Sequence, residues 1–468
     1  MTQSGSDRSL ASLVDLEQGL VSRELYVNPD IYQQELEQIY ARAWLFVGHE
    51  SMVPNPGDFF LSRMGEESVI LVRDERGKLH ALLNTCRHRG NKVCRYDDGN
   101  TRVFTCSFHG WSYDTDGRLV GVPHYEAAFE GALDKEQFGL HEVAQLANLN
   151  GSIWATWDSK APSFEDYLGA FEPTIRHCFD ASDGTENGVE LVLPMQKFRL
   201  PTNWKFAAFS FDGDALHGST THRSLSVFRE AGVAVMADEQ GTAAAETRAA
   251  EQEGRRIVER GGPYAKTLEL SSRQLGHGSH RNLYEKPIDE IPYVPTWEKY
   301  EPPEVEEYYR RAWQKRGERF AGHYLHAFGG AHVFPNINVQ DNRHLIWHPH
   351  GVGMTESWRI FPVDKSAPQV VREATLRYAI RSCGASGVTE SDDMENWNYA
   401  MEASSGTVAR RLSYPFKSGL GGAYDDERVP GMTVNQLSAE ENQRSRLRRW
   451  VQFMEAKSWD DLYPVKKG

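Results

Sequence analysis

The sequence predicts an α+β fold with two domains. A chain of 468 residues is longer than one ordinary domain and carries enough apolar residues for more than one core. Residues 45–160 contain short β-type runs separated by turn sequences, which indicates a small antiparallel β domain. Residues 1–44 and 161–468 mix strand-type runs with charged helical segments. This mixture indicates a larger domain in which helices cover an antiparallel sheet.

The first predicted element is an amphipathic helix within residues 30–47, because its apolar residues recur at roughly helical spacing. Those residues are Ile31, Leu36, Ile39, Tyr40 and Trp44. The pattern then changes: residues 68–86 and 102–123 each contain two β-rich runs around a turn with a glycine. These two hairpins make up most of the predicted β domain.

Strands and helices alternate less regularly in the larger domain. We predict strands over 189–200, 224–237 and 356–364, and helices over 242–260, 303–320, 367–380 and 394–404. The helix over 242–260 is rich in alanine, glutamate and arginine, which is typical of a solvated surface helix.

Charge and composition exclude several classes of function. The formal net charge is -14 and no basic patch stands out, so we expect neither nucleic acid nor an anionic membrane as a partner. The N-terminus lacks the pattern of a signal peptide and no apolar run is long enough to span a bilayer, so we expect a cytoplasmic protein. Five cysteines, an odd number, suit a reducing compartment and metal binding better than a disulfide framework.

Two cysteine-histidine pairs provide the first candidate site. Cys86 and His88 are one residue apart, Cys106 and His109 are two apart, and seventeen residues lie between the pairs. Each pair follows a β run, so two neighbouring hairpin ends could hold one inorganic centre. Two thiolates and two imidazoles fit a [2Fe-2S] cluster, and they also fit tetrahedral zinc. The order of the residues favours the cluster, since zinc modules usually pair like with like. Cys94 fits neither pair.

A second constellation lies at Asp214, His217 and His222. On an ideal helix His217 and His222 would lie about 140° apart, so both can bind one ion only if the helix breaks or bulges between them. The intervening "GSTT" consists of poor helix formers. Two histidines and a carboxylate with open positions form the facial triad of non-haem Fe(II) oxygenases. By position alone, Asp214 is the local candidate for the carboxylate.

At these residues the sequence resembles a known family. The C-x-H-x17-C-x2-H pattern, with "HRG" at the first pair and "HGW" at the second, is similar to the Rieske domain of aromatic ring-hydroxylating dioxygenase large subunits. The naphthalene, biphenyl and phthalate 3,4-dioxygenase types are the most similar members. The resemblance extends over residues 42–397.

The resemblance implies a set of cofactors and ligands. The two cysteine-histidine pairs would hold a Rieske [2Fe-2S] cluster, and His217 and His222 would hold a mononuclear Fe(II). It places the third iron ligand in the acidic stretch "TESDDMENW", at Asp393 with Asp392 as the alternative. Asp214 then corresponds to the acid that bridges the two centres in electron transfer.

The resemblance also implies the reaction and its partners. A terminal oxygenase alpha subunit would use O2 and electrons from NAD(P)H, delivered through a reductase with or without a ferredoxin, to cis-dihydroxylate an aromatic ring. The electron would cross from His109 of one chain to Asp214 of a neighbour, which implies a ring of at least three chains and, with a small beta subunit, an α3β3 assembly. The alternatives are a Rieske monooxygenase or demethylase with the same metals, and, from another class, an electron carrier or a zinc-stabilised binding protein.

The substrate is predicted less sharply. The resemblance places an aromatic acid such as phthalate, or a polycyclic hydrocarbon, against residues near the iron. We predict that the pocket is lined by Phe206, Phe209, Ser210, Phe211, Leu216 and Arg273, with Arg273 as a buried partner for a carboxylate. Two positions depart from the family pattern: Ser210 replaces a common asparagine, and Asp212, which we expect at the surface, replaces an apolar residue.

Overall fold

The chain divides into two compact units. A computed structural model describes residues 10–214, 216–223, 265–293, 302–340 and 343–463. The small unit is Gln34–Tyr167 with Glu190–Leu193, and the large unit is Met1–Gln33, Leu168–Val189 and Pro194–Gly468. The sequence prediction placed the limits of the small domain at residues 45 and 160.

The elements are numbered here in chain order. The strands are β1 Val14–Asp15, β2 Leu20–Ser22, β3 Leu45–His49, β4 Asp58–Met64, β5 Glu67–Arg73, β6 Leu79–Leu83, β7 Asp98–Asn100, β8 Val103–Thr105, β9 Ser112–Asp114, β10 Leu119–Gly121, β11 Gln145–Leu149, β12 Ser152–Thr156, β13 Val189–Leu200, β14 Ala265–Ser271, β15 Gly278–Tyr284, β16 Leu325–Val333, β17 Ile337–Gln340, β18 Arg343–Pro349, β19 Thr355–Asp364, β20 Ser413–Pro415, β21 Tyr424–Asp425 and β22 Thr433–Gln436. The α-helices are α1 Glu24–Val27, α2 Pro29–Glu35, α3 Tyr125–Phe129, α4 Phe164–Leu168, α5 Glu172–His177, α6 Trp204–Ser210, α7 Pro303–Arg319, α8 Gln369–Ser382, α9 Glu390–Ser405, α10 Glu441–Glu455 and α11 Trp459–Leu462.

The small unit consists of three antiparallel sheets with the strand orders β6-β5-β4-β7, β11-β12-β3 and β10-β9-β8. Local turn chemistry joins the hairpins. The carboxylate of Asp74 accepts hydrogen bonds from the Arg76 and Lys78 N–H groups, at 2.9 and 2.8 Å, in the turn between β5 and β6. Asp side chains commonly close turns in this way. The predicted β domain is therefore confirmed.

A nine-stranded sheet dominates the large unit, in the order β13-β19-β18-β17-β16-β15-β14-β22-β21. Helices α7 and α8 pack together through Val305, Val371 and Ala374, all of which are buried. The predicted α+β class, with helices on a sheet, is confirmed. Among the described helices, none is both long and apolar enough to cross a membrane.

Most of the predicted elements in the larger domain match the structure. Strand β13 spans 189–200 as predicted, β19 and the helices α7 and α8 differ from prediction by a few residues, and the predicted helix over 394–404 lies within α9. The predicted strand over 224–237 and helix over 242–260 lie outside the described residues.

The N-terminal helix is shorter than predicted. Helix α2 ends at Glu35, a π-helical turn covers Leu36–Tyr40, and β3 follows. All five residues of β3 are buried, and β3 pairs with β12. Burial and strand pairing therefore override the helical periodicity in this segment.

Candidate metal centres

The first cysteine-histidine pair lies in the loop after β6, and main-chain hydrogen bonds fix its shape. The Gly90 N–H donates to the Cys86 carbonyl at 2.9 Å, and the Cys86 N–H donates to the Asn91 carbonyl at 2.8 Å. Gly90 has a φ of +71°, a conformation that favours glycine because it has no Cβ. This explains the glycine in the sequence "HRG".

The second loop, between β8 and β9, repeats this pattern. The Gly110 N–H donates to the Cys106 carbonyl at 2.9 Å, and the Cys106 N–H donates to the Trp111 carbonyl at 2.8 Å. Gly110 has a φ of +72°. The two loops therefore hold Cys86 and Cys106 in matching backbone frames.

The histidine rings of the two loops meet each other. The ring centroids of His88 and His109 are 4.5 Å apart, and the Trp111 indole stacks on His88 with centroids 4.9 Å apart. The Cys86 thiol contacts the Tyr113 hydroxyl at 3.2 Å. Imidazole thus lies beside imidazole, while both thiols are buried in the core of the small unit.

The protonation states suit metal ligation. Burial opposes ionisation of the Cys106 thiol, but hydrogen bonds from the N–H groups of Phe108 and His109 and from the Asn91 amide lower the net pKa of Cys106 below its usual value. Burial, followed by the nearby His109 and Arg89, lowers the pKa of His88. Thiolate and neutral imidazole are the forms that bind metals.

One observation at these loops fits a metal ligand of either kind, and a second favours a two-iron cluster over zinc. The Nδ1 atom of His88 is buried and has no hydrogen-bond partner within the described part of the chain, as expected for an atom that binds a metal. Within that same part, the His217 group described next is the one set of three or more candidate ligand atoms that lie within 4.8 Å of one another. The four cysteine and histidine side chains therefore do not surround a single ion, as tetrahedral zinc requires.

The second centre gathers three donor atoms from two elements. The Nε2 atoms of His217 and His222 are 3.1 Å apart, and Asp393 Oδ1 lies 3.5 and 3.4 Å from them, respectively. The pKa of Asp393 is raised to about 7, chiefly by burial; the negative charges of Glu390 and Asp214 add to this rise, and the nearby His217 opposes it. A divalent cation would stabilise this buried carboxylate. The donor set and its triangular arrangement fit a facial triad.

Regular helical geometry is interrupted between His217 and His222. A 3-10 helix covers Leu216–Ser219, and the Thr220 and Thr221 N–H groups both donate to the His217 carbonyl, at 3.0 and 2.8 Å. This tight turn brings His222 back towards His217. The predicted break between the histidines is therefore confirmed.

Asp214 lies behind one histidine rather than in the triangle. Its Oδ2 atom is 3.3 Å from His217 Nδ1, the ring nitrogen that faces away from the other donors. A carboxylate in this position holds the proton on Nδ1 and leaves the Nε2 lone pair available. Asp392, the alternative third ligand, is not part of the triangle.

A cavity of about 210 Å³ opens at this centre. Its described lining residues are Ser210, Phe211, Gly213, Asp214, His217, Gly218, His222, Thr267, His280, Gln340, Arg343, Thr389, Glu390, Asp393 and Leu437. Ser210 and Phe211 were predicted to line the pocket, and the structure places both in the wall. Gln340, Arg343 and Thr389 were not identified from the sequence.

The other two predicted phenylalanines lie elsewhere. Phe206 stacks on Tyr26 with ring centroids 4.4 Å apart, and Phe209 is buried edge-on against Trp204. Neither is among the described lining residues. Their places in α6 direct them into the core, and only the end of α6 reaches the cavity.

Leu216 and Arg273 also lie outside the described cavity wall. The Leu216 side chain is 51% exposed. The Arg273 side chain is 43% exposed, and its Nε atom lies 3.4 Å from Glu441 Oε1. Arg273 follows the end of β14, where the chain turns towards solvent. The prediction of a buried carboxylate partner at Arg273 is therefore wrong.

Ser210 has a definite role in the packing of the centre. Its hydroxyl accepts a hydrogen bond from Trp397 Nε1 at 2.9 Å and donates to the Phe206 carbonyl at 3.0 Å. Trp397 lies on α9, four residues after Asp393. Ser210 therefore ties the helix before the histidines to the helix that carries Asp393.

Asp212 is fully buried, so its expected surface position is wrong. Its Oδ1 atom accepts a hydrogen bond from Asn338 at 3.1 Å and lies 2.9 Å from an Arg446 nitrogen and 3.1 Å from His332 Nδ1. Burial raises the pKa of Asp212, while the Arg446 charge and the Asn338 hydrogen bond lower it. The buried guanidinium balances the buried carboxylate.

Gly213 separates Asp212 from Asp214 and turns them in different directions. Its φ of +106° is disfavoured for residues with a Cβ. The start of α10 holds the segment from outside: the Asn442 amide donates to the Asp212 carbonyl at 2.8 Å, and the Gln443 amide donates to the Phe209 carbonyl at 3.3 Å. One acid is therefore anchored in the core while the next faces His217.

Another buried ion pair fixes the start of α9. Arg359 Nε lies 2.8 and 2.9 Å from the two carboxylate oxygens of Glu390, and both side chains are almost completely buried. Glu390 is the first residue of α9, and Asp393 follows within the same turn. The ion pair therefore limits the movement of the Asp393 backbone.

The sequence is similar to known proteins along nearly its whole length. Residues 43–142 match the family model described as "Rieske [2Fe-2S] domain". The chain is 34% identical over 461 residues to biphenyl 2,3-dioxygenase subunit alpha of Rhodococcus jostii (strain RHA1), covering 98% of this chain and 94% of the relative. It is 32% identical over 458 residues to benzene 1,2-dioxygenase subunit alpha of Pseudomonas putida, with coverages of 97% and 95%.

A solved structure shares the fold over the same length. Naphthalene 1,2-dioxygenase from Rhodococcus sp., bound to indole, aligns with a TM-score of 0.75 and 30% identity, covering 94% of this chain and 95% of that one. The similarity thus extends over both units.

Proposed function

This chain belongs to the large (alpha) subunits of the Rieske non-haem iron aromatic ring-hydroxylating dioxygenases, and from that membership we propose which of its residues perform the reaction. It is a terminal oxygenase component that uses O2 and electrons from NAD(P)H, delivered through a reductase, to cis-dihydroxylate an aromatic ring. Its cofactors are a Rieske [2Fe-2S] cluster and a mononuclear Fe(II). When bound, the cluster supplies electrons singly and the ferrous ion activates O2.

Cys86 and Cys106 would hold one iron of the cluster, and His88 and His109 the other. The contact between the two histidine rings and the buried Nδ1 atom of His88 support this assignment. The matching main-chain hydrogen bonds of the two loops give Cys86 and Cys106 the same backbone geometry. In a Rieske centre two histidines replace two cysteines on one of the irons.

His217, His222 and Asp393 would hold the mononuclear iron. The observation that carries this proposal is the triangle of donor atoms, with sides between 3.1 and 3.5 Å. Three protein ligands of this kind would leave room at the metal for O2 and substrate in the adjoining cavity. The Arg359–Glu390 ion pair fixes the start of α9, which carries Asp393, and the Trp397–Ser210 hydrogen bond joins α9 to the end of α6, which precedes the histidine segment.

We assign Asp214 as the electron-transfer bridge. Its contact with His217 Nδ1 connects it directly to one proposed iron ligand. On the family pattern, its other partner is His109 of an adjacent subunit, which implies a closed ring of three chains. The term "subunit alpha" in the names of the relatives supports a companion subunit, and we propose an α3β3 assembly supplied by a reductase with or without a ferredoxin.

Product analysis of the holoenzyme tests the reaction. Purified oxygenase with its reductase, NAD(P)H and ¹⁸O2 should convert an aromatic compound to a cis-dihydrodiol in which both hydroxyl oxygens carry the label. The panel should include aromatic acids such as phthalate and polycyclic hydrocarbons such as naphthalene. A product with one labelled atom would show a monooxygenase instead.

Mixed oligomers test the bridge between neighbouring chains. Cys106→Ser should remove the cluster and Asp393→Ala the mononuclear site, so each variant alone should be inactive. When the two are co-expressed in equal amounts, a chain with an intact cluster meets a neighbour with an intact iron site in about a quarter of the directed contacts of a ring. We expect about a quarter of the wild-type turnover in the mixture. No recovery, despite mixed assembly shown by affinity tags, would contradict the transfer between chains.

A further inference from the structure

The chain just before Asp214 is anchored through the buried side chain of Asp212. Its Oδ1 atom lies 2.9 Å from an Arg446 nitrogen. The same oxygen lies 3.1 Å from the Asn338 amide and 3.1 Å from His332 Nδ1. These partners belong to α10, β17 and β16, so three elements of the large unit meet at one carboxylate oxygen. The backbone at Asp212 is therefore fixed in relation to the sheet.

Helix α10 also holds the main chain of this segment. The Asn442 amide donates to the Asp212 carbonyl at 2.8 Å and to the Ser279 carbonyl of β15 at 3.0 Å. A Cβ at Gly278 would overlap the Asn442 side chain, so the glycine allows α10 to approach the sheet this closely. Asn442 and Arg446 lie about one turn apart on α10. The helix therefore binds both the carbonyl and the side chain of Asp212.

The contacts of Asp214 itself are local. In the described part of the chain, its Oδ1 atom accepts a hydrogen bond from the Leu216 N–H at 3.2 Å, and its Oδ2 atom lies 3.3 Å from His217 Nδ1. Both partners follow within three residues. The position of Asp214 thus depends on the proposed iron ligand His217 on one side and on Asp212 on the other.

Stability alone does not explain the Asp212–Arg446 ion pair. Moving two charges into a protein core costs about as much as their attraction returns, and apolar side chains of similar volume often serve equally well. Hydrogen bonds have preferred directions, so they define one conformation where apolar packing allows several. Asp212 departs from the family pattern, which has an apolar residue here, so the pair is a particular feature of this chain.

We propose that Asp212 and Arg446 are positioning residues for electron transfer. Through the short connection at Gly213 they direct the Asp214 carboxylate towards His217 Nδ1 and the neighbouring chain. This inference rests on the proposed function of Asp214 as the bridge. Without the ion pair, the carboxylate would occupy its productive position in a smaller fraction of the molecules, and transfer would slow because small displacements of a reacting group are costly.

Stopped-flow oxidation of the reduced cluster in the holoenzyme, with substrate and O2 present, tests the pair. Arg446→Met should slow this step about tenfold, the lower end of the effects seen when partners of metal-binding residues are removed. The cluster spectrum, the iron content and the substrate KM should stay at wild-type values, because neither residue is part of the described cavity wall. Arg446→Lys keeps a cation opposite Asp212 and should recover part of the rate.

A second variant and a control complete the set. Asp212→Asn keeps the shape of the side chain but removes its charge, so it tests the pair even if Arg446→Met does not fold; it should slow oxidation about three- to tenfold. Arg449→Met is the control, because Arg449 is another fully buried arginine of α10, whose guanidinium contacts the Leu462 carbonyl. It should lower the Tm and leave the rate of cluster oxidation unchanged.

A double variant separates positioning from a general loss of structure. If Arg446 acts through Asp214, adding Arg446→Met to Asp214→Ala should slow oxidation by less than about twofold, since the carboxylate to be positioned is already absent. Independent effects would multiply. A further tenfold loss in folded, iron-loaded double variant would therefore overturn the inference.

The remaining outcomes distinguish this inference from the proposed function. Slow oxidation in Asp214→Ala, with wild-type rates in folded Arg446→Met and Asp212→Asn, would overturn the inference and leave the bridge in place. A wild-type rate in Asp214→Ala would contradict the bridge, and the positioning role would fail with it. Loss of iron from Arg446→Met and Asp212→Asn would show that the pair supports the iron site instead.

Discussion

Asp393→Ala should abolish aromatic oxidation, with a loss of at least about 1000-fold, while the red-brown absorption of the [2Fe-2S] cluster stays intact. A catalytic metal lowers the activation free energy by several kcal/mol, and each 1.36 kcal/mol corresponds to a factor of ten in rate. Removal of Asp393 takes away the anionic donor that, among the described residues, lies 3.4 to 3.5 Å from the two histidine nitrogens. Two neutral imidazoles alone should hold Fe(II) poorly.

The decisive measurements are iron content per chain, the visible and electron paramagnetic resonance spectra of the reduced cluster, and product yield in a single turnover. Asp392→Ala is the matched control, because it removes the neighbouring carboxylate that lies outside the donor triangle. We expect this control to keep its iron and most of its activity. The ligand assignment is wrong if the two variants show the opposite pattern.

Asp214→Ala should keep both metal centres but slow the delivery of electrons by about 100-fold, the upper end of the effects seen when partners of metal-binding histidines are removed. Asp214 contacts His217 on the Nδ1 side, away from the donor triangle, so its loss need not release iron. The variant lacks the carboxylate that holds the proton on His217 Nδ1. In the proposed pathway this carboxylate connects His217 to the neighbouring chain.

Stopped-flow oxidation of the reduced cluster, followed at visible wavelengths with substrate and O2 present, measures this step directly. Asp214→Asn keeps a hydrogen-bond acceptor without the charge and should fall between wild type and alanine. Glu395→Ala, at an exposed position of α9, should oxidise at the wild-type rate. If the alanine variant loses its mononuclear iron but reoxidises its cluster normally, Asp214 supports the iron site rather than electron transfer.

The sequence predicts best those features that depend on neighbouring residues. The two cysteine-histidine pairs and the His217–His222 pair each lie within a few residues, so turns and a broken helix are enough to define them. The third proposed iron ligand is different. Spacing alone favoured Asp214 as the carboxylate ligand of the iron. Only the resemblance to a family indicated Asp393 for this role.

Buried charges were the least predictable feature. Asp212 was expected at the surface because a charged side chain normally lies there, yet Arg446 and Asn338 surround it in the core. These partners come from distant parts of the sequence, and no local pattern indicates that they meet. Arg359 and Glu390 form a second buried ion pair, which was not predicted for the same reason.

The predicted position of Arg273 was wrong for a similar reason. The resemblance pointed to Arg273, but that residue lies just after the end of β14, and its side chain is 43% exposed. Arg343, which lines the cavity, is the first residue of β18, and its local sequence does not mark it as a cavity residue. Only the pairing of β17 with β18 shows that its side chain projects with that of Gln340 into the cavity.

The positive φ of Gly213 has a practical consequence for anyone who wishes to redesign this oxygenase for new compounds. A bulkier residue there would cost about 1–3 kcal/mol of strain and would tend to swing both adjoining acids out of their present directions. Libraries that randomise Asp212, Gly213 and Asp214 should therefore yield mostly inactive variants.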